Sequence, residues 1–292
     1  MSYISLAFQL SVAITVFWAG LGASRHDLNY VFERPRLLLT SLIAMFIVMP
    51  VAALALELYF EFPHPARVAL VVLALSPIPQ LLPRTTLASG GHHSYAYGLA
   101  FSVSLLSVVI VPAMVSFLGH VMGRPFGVDT AVVARAVVLT CLVPLALGMV
   151  TRRLAPHFAD RVAGPVARLA NLLMTLAIVA LLVLVGRSLF AVATLSTLLA
   201  MTVFVGVGLL VGHVLGGPER DHSVVLAIAC ANRNPGIAIG IASANFPAES
   251  FGATVILYAL LIGVVTKPYV NRQRRLVEAE AGRVADVGAP PP

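Results

Sequence analysis

Two short stretches place charged and amide side chains beside helix-breaking residues inside otherwise apolar runs: SPIPQLLPRTT at residues 76–86 and ANRNPG at residues 231–236. Each holds one arginine, Arg84 or Arg233. Gln80, Thr85 and Thr86 flank the first, and Asn232 and Asn234 flank the second. A guanidinium is planar and permanently charged, and it grips a carboxylate through two parallel hydrogen bonds. Half-helix N-termini add partial positive charge that favours anions. The set therefore suits an organic anion. Two other uses stay open. A fixed cation can satisfy carbonyls and helix C-termini in place of a metal ion, or an arginine can simply cap or snorkel.

The prolines explain why such groups are tolerated there. Pro77, Pro79 and Pro83 in the first stretch, and Pro235 with Gly236 in the second, interrupt a helix by removing backbone donors and crowding the preceding turn. Freed backbone groups at membrane depth must be met by protein or by cavity water. Two interrupted spans in corresponding places of two halves are the sequence mark of a transporter binding site.

The elements that position these breaks are membrane spans. The chain is 59% hydrophobic and 11% charged, with a mean hydropathy of +0.96. A soluble domain carries about a quarter charged residues, and a span needs roughly 20 apolar ones. The chain reads as an all-α polytopic membrane protein with nine transmembrane helices, at about 2–23, 37–60, 66–90, 95–122, 130–153, 165–189, 191–216, 222–245 and 250–270. The membrane domain is 1–270, and 271–292 is a polar, disordered cytoplasmic tail. Ser2–Ala23 lacks a positive n-region and a clear cleavage site, and is read as a retained first span.

Charge gives orientation. Arg25, Arg34, Arg36, Arg152, Arg153, Arg161, Arg168, Arg220, Lys267, Arg272, Arg274, Arg275 and Arg283 fall on one side. Arg67, Arg124 and Arg187 fall on the other, with Arg135 near it. The richer side is cytoplasmic, so the N-terminus is outside and the C-terminus inside. The net charge of +7 is spread between apolar runs and does not form a nucleic-acid face. The Ala/Val/Leu/Arg-rich, Lys-poor composition suggests a bacterial inner (plasma) membrane. Cys141 and Cys230 lie in apolar runs with no disulfide or metal-ligand spacing. No cofactor and no metal is expected. His92 and His93 stand in a loop and the other histidines are scattered, unlike the grouped ligands of a membrane di-iron enzyme. Asn171 is a lone polar residue of the sixth span and a candidate for the cavity. Ser102, Ser104 and Ser107 either line a site or bond their own helix. Gly206, Gly208 and Gly212 favour close helix packing.

At these residues the chain resembles the bile acid:sodium symporter family. FIVMP at 46–50 is similar to the family's Met-Pro helix. Residues 75–114 sit where the family has its first break and a following hydroxyl-rich helix. In NRNPGIAIGIASANFP, Asn234, Gly236, Ala238, Ala242 and Phe246 keep the family's second-break pattern. The resemblance implies an inverted-repeat transporter with two broken helices crossing near the midplane. It also implies a panel domain (about 2–23 and 130–189) and a core domain (about 37–122 and 191–270). It further implies two sodium sites, but the aligned positions are Leu82, Pro83, Phe101, Ala229, Arg233 and Met45. A hard cation needs oxygen ligands, and these side chains supply none. The expectation is therefore a secondary transporter of an organic anion, of the carboxylate or sulfonate class, working by alternating access. It would be uniport or proton-coupled, with His213 the candidate proton carrier, rather than sodium symport. The alternatives are ordinary sodium:organic anion symport, a sensor or channel-like protein of the same fold, and a carrier of the broader superfamily such as the auxin or arsenite carriers.

Overall fold

The computed structural model describes residues 2–61, 63–76, 86–87, 89–121, 134–135, 138–235, 238 and 251–288. All regular structure among them is helical: α1 (Ser2–Gly22), α2 (Arg25–Phe32), α3 (Pro35–Ile43), α4 (Met49–Tyr59), α5 (His64–Leu75), α6 (His93–Val121), α7 (Val143–Leu154), α8 (Pro156–Val192), α9 (Leu195–Leu215), α10 (Arg220–Ala231) and α11 (Gly252–Gly288). A π-helical turn at Ala44–Val48 joins α3 to α4, and another at Val138–Leu142 leads into α7. Each such turn is followed by a proline in the first turn of the next helix, Pro50 and Pro144. A proline lacks the N–H that an unbroken α-ladder requires, and a wider turn absorbs the mismatch.

Among the described residues, four helices are long and apolar enough to cross a membrane: Pro35–Tyr59, His93–Met114, Leu195–Leu215 and Gly252–Glu280. Leu10–Gly22 and His64–Leu75 are shorter apolar helices. The helices overlap the spans expected at 2–23, 37–60, 95–122, 165–189, 191–216 and 250–270. The expected third, fifth and eighth spans lie partly outside the described residues.

Packing follows side-chain size. α1 packs on α7 and α8, α2 on α6, α9 along α10, and α11 on α8 and α9. Small residues set the closest approaches. A Cβ at Gly148 of α7 would lie 2.3 Å from the Phe17 carbonyl of α1, and one at Gly212 of α9 would lie 2.3 Å from the Leu226 carbonyl of α10. α10 is buried on every face from His222 to Ala231, as befits a helix apolar all round. Its surroundings form the main core, with Met45, Met49, Leu73, Tyr95, Phe204 and Tyr258 fully buried. Large apolar side chains such as Val109, Val183, Phe190 and Leu210 point outward. In water they would form a costly surface; against lipid they do not.

One expectation is corrected. The segment from Asn271 was read as a disordered tail, yet α11 continues through it to Gly288. At 1.5 Å per residue a helix of that length spans about 55 Å, against a hydrocarbon core of about 30 Å. Its distal part is held from α10. Arg220 donates through Nε to Gln273 Oε1 (3.0 Å) and through Nη2 to the Gln273 carbonyl (3.0 Å), and pairs with Glu280.

Candidate functional site

Two helix C-termini converge in the core. α5 stops at Leu75 because Ser76 turns the chain out into an extended conformation (φ −68°, ψ 141°), immediately before Pro77. α10 stops at Ala231, where Asn232 does the same (φ −97°, ψ 121°). Helix C-termini leave orphan carbonyls and carry partial negative charge. Two such ends pointing into one region make a place for a cation.

The side chain of Arg233 occupies that place. It is 1% exposed. Its Nη2 donates to the Ala74 carbonyl in the last turn of α5 and to the Met45 carbonyl in the π-helical turn before α4. The wide turn is what frees the Met45 carbonyl for an outside donor. Among the described residues, Nε and Nη1 of Arg233 have no hydrogen-bond partner. Among the described residues no carboxylate pairs with this arginine.

The breaks also touch through the backbone. The Asn234 N–H donates to Ser76 Oγ at 3.0 Å, while that hydroxyl donates to the Leu73 carbonyl at 2.8 Å. Asn234 is fully buried, and its carbonyl accepts from the Ala238 N–H at 3.1 Å as the chain re-enters a helical turn. Asn232, half-buried, folds its Nδ2 back to the Ile228 carbonyl at 3.0 Å. Tyr258 of α11 donates to the Ala231 carbonyl at 2.8 Å, satisfying another orphan of the α10 terminus.

Of the residues singled out from sequence, Arg233, Asn232 and Asn234 meet here, and Pro235 is half-buried beside them. Thr86 is fully buried further along. Its carbonyl receives the Ser89 and Gly91 N–H groups at 2.9 and 2.8 Å in a turn where Gly90 takes φ +76°. Asn171 is exposed on α8. Pro77, Pro79, Gln80, Pro83, Arg84, Thr85 and Gly236 lie outside the described residues. Ser76 and Tyr258 were missed. Ser76 had a signal: a hydroxyl residue just before a proline is placed to cap a helix end. Tyr258 had none. The buried hydroxyls Ser102 Oγ and Thr254 Oγ1, without a hydrogen-bond partner among the described residues, add polar atoms to the core.

The model of the sodium bile acid symporter family matches residues 9–192, more than half of the chain. The chain belongs to the sodium bile acid symporter family. Members of that family are transporters, not enzymes, so this is a multi-pass membrane transporter. No curated protein matches the chain. The family match takes in α1 to α8 and the first break; Arg233 lies beyond it.

Proposed function

We propose that this transporter moves an organic anion by alternating access without sodium, with Arg233 permanently filling the position of a coupling cation. The observation that carries this reading is the pair of bonds from Arg233 to the Ala74 and Met45 carbonyls, at the meeting of two helix C-termini. An arginine at the bilayer centre costs about 2.5–3.5 kcal/mol on insertion scales, and these carbonyls and dipoles are what offset it. A sodium ion in the same volume would face a fixed positive charge at contact distance, which repels it.

The wider architecture follows the family. Nine spans form two inverted repeats whose broken helices cross at Ser76 and Asn234. Packing of α1, α7 and α8 on one another supports a panel, and the core built around α10 supports the moving domain. The substrate anion sits beside the crossing, held by Arg84, Gln80 and Thr85 and by the Nε–Nη1 edge of Arg233. The N-terminus faces outside and the C-terminus the cytoplasm of a bacterial inner membrane. Coupling is uniport or proton symport. His213, whose Nδ1 lies 2.8 Å from the Tyr269 hydroxyl, is the candidate proton carrier.

The test is ligand-induced thermal stabilisation of the purified protein by a panel of carboxylates and sulfonates, in sodium and in choline, for the wild type and Arg233→Gln. Stabilisation of the wild type should be the same in both salts. Arg233→Gln should acquire a sodium requirement, since it leaves the Ala74 and Met45 carbonyls without a cation. A wild type that responds to anions only in sodium would sink the proposal.

A further inference from the structure

A second polar cluster lies where the loop before α6 meets the start of α10. His92, Asp221 and His222 each present one ligand atom, and these atoms lie within 4.8 Å of one another. We propose that they form a binding site for a divalent metal of the zinc class. The site is distinct from the Arg233 crossing and independent of the transport reading.

The histidine orientation fits a ligand. His222 is 4% exposed. Its Nδ1 faces Glu219 Oε2 at 3.1 Å, and its Nε2 faces the Tyr30 hydroxyl at 2.7 Å. With the Nδ1 proton held by a carboxylate, Nε2 carries the lone pair. That carboxylate–histidine arrangement is the usual outer shell of a metal-bound imidazole. At present the lone pair accepts from Tyr30, and a metal would take its place. The His92 ring stacks on Tyr30 (centroids 4.4 Å apart) and lies 5.1 Å from the His222 ring. Among the described residues, His92 Nδ1 accepts a long 3.3 Å contact from the Tyr95 N–H, which metal binding would release. Asp221 uses Oδ1 to accept from the His222 N–H at 2.8 Å, leaving Oδ2 for coordination.

The ligands stand on held backbone. The His92 N–H donates to the Asp221 carbonyl at 3.3 Å, tying the loop to α10 directly. Gly91 is packed so closely that a Cβ would lie 2.9 Å from Val225 Cγ2. Tetrahedral zinc at about 2.0–2.1 Å from its ligands needs ligand atoms about 3.3 Å apart, so Asp221 and His92 would have to close in on the held His222 ring from the present spacing of up to 4.8 Å. A cavity of about 460 Å³, lined in part by Arg34, Gly217, Glu219 and His222, adjoins the cluster at His222. Two neutral imidazoles with Asp221 and Glu219 balance a divalent charge. Two features oppose a cation: the positive end of α10 and the guanidinium of Arg34, which sits 3.7 Å over the Tyr30 ring. The two carboxylates at the start of α10 offset the first. A nitrogen–oxygen set of this kind suits zinc or cobalt rather than magnesium or calcium.

A bound ion would bridge the segment that follows the first break to the helix that precedes the second. The experiment is a cobalt titration of the full-length, untagged protein in detergent after chelator treatment, followed by absorption and melting temperature. One equivalent of cobalt should give visible bands of a low-coordinate site, zinc should abolish them, and zinc should raise the melting temperature. His92→Ala and Asp221→Asn should remove the bands, and Glu219→Gln should weaken affinity about 10–100-fold. His157→Ala, an exposed histidine on α8, should leave them unchanged. His92 is half-buried, so its variant keeps the test valid if His222→Gln misfolds. Absence of bands at excess cobalt would overturn the site, as would bands that survive His92→Ala and Asp221→Asn.

Discussion

The Asn234 N–H donates to the Ser76 hydroxyl at 3.0 Å, joining two residues that lie 158 positions apart and flank two separate helix breaks. Both are fully buried. The serine hydroxyl is the hinge of this contact, because it closes the end of α5 by donating to Leu73 while accepting from the other break. Ser76→Ala leaves a buried N–H without an acceptor. An unsatisfied buried donor costs about 1–3 kcal/mol, so the melting temperature in detergent should fall clearly. Ser76→Thr keeps the hydroxyl and should recover most of the loss. Equal melting of Ser76→Ala and the wild type would show that the contact does not hold the crossing.

The glycines of α9 divide by what they face. A Cβ at Gly212 would lie 2.3 Å from the Leu226 carbonyl and 2.4 Å from Ala227 Cα, whereas one at Gly206 would meet nothing within 4 Å. Backbone atoms cannot step aside as a flexible side chain does. Gly212→Ala should therefore destabilise by about 1–3 kcal/mol through overpacking. Gly206→Ala should be neutral or stabilise by about 0.5–1 kcal/mol through lower chain entropy. Thermal unfolding of the two variants side by side checks this, and a reversed order would contradict the packing of α9 on α10.

The distal part of α11 depends on one arginine. Arg220 holds both the side chain and the carbonyl of Gln273, a residue 4% exposed, and reaches Glu280, which is exposed. Arg220→Ala should raise amide exchange across 273–288. Glu280→Gln should change little, since exposed ion pairs contribute about 0–1 kcal/mol and are screened by salt. Exchange in that segment that ignores Arg220→Ala would mean the helix stands without docking.

Much of this was legible in the sequence because membrane spans and prolines leave strong local marks. The apolar runs placed α1, α3–α4, α6, α9 and α11, and the charged amide cluster at 232–234 placed one break. What sequence could not give is partnership at long range. Nothing local says that Arg233 reaches the carbonyls of Ala74 and Met45, since backbone acceptors carry no residue signature. The His92–His222 cluster was unreadable for a similar reason: the two histidines are far apart along the chain, and read singly each looks like a loop or helix-start residue. The tail was misread because its polar composition hid a run of good helix formers, LVEAEA at 276–281, and because its docking partner sits on α10.

Asp27 offers a pH prediction outside the spans. It lies in the short helix α2 and forms a reciprocal cap with Ser24: its N–H donates to Ser24 Oγ at 3.2 Å, and the Ser24 N–H donates to its carboxylate at 2.7 Å. His93 Nδ1 approaches the same carboxylate at 3.4 Å. Burial pushes the Asp27 carboxyl up, but the hydrogen bonds from Ser24 and Ser94 and the neighbouring His93 together hold it below the ordinary value of 3.8. A carboxyl depressed in the folded state adds stability that is present above its unfolded value and lost as pH falls through the folded one. Asp27→Asn should therefore lower the melting temperature at pH 7, where cap losses amount to about 0.5–2 kcal/mol. The difference from the wild type should shrink as pH falls below about 4. Melting curves that stay parallel from pH 7 to the acid limit would show that the carboxylate charge is not what the cap uses.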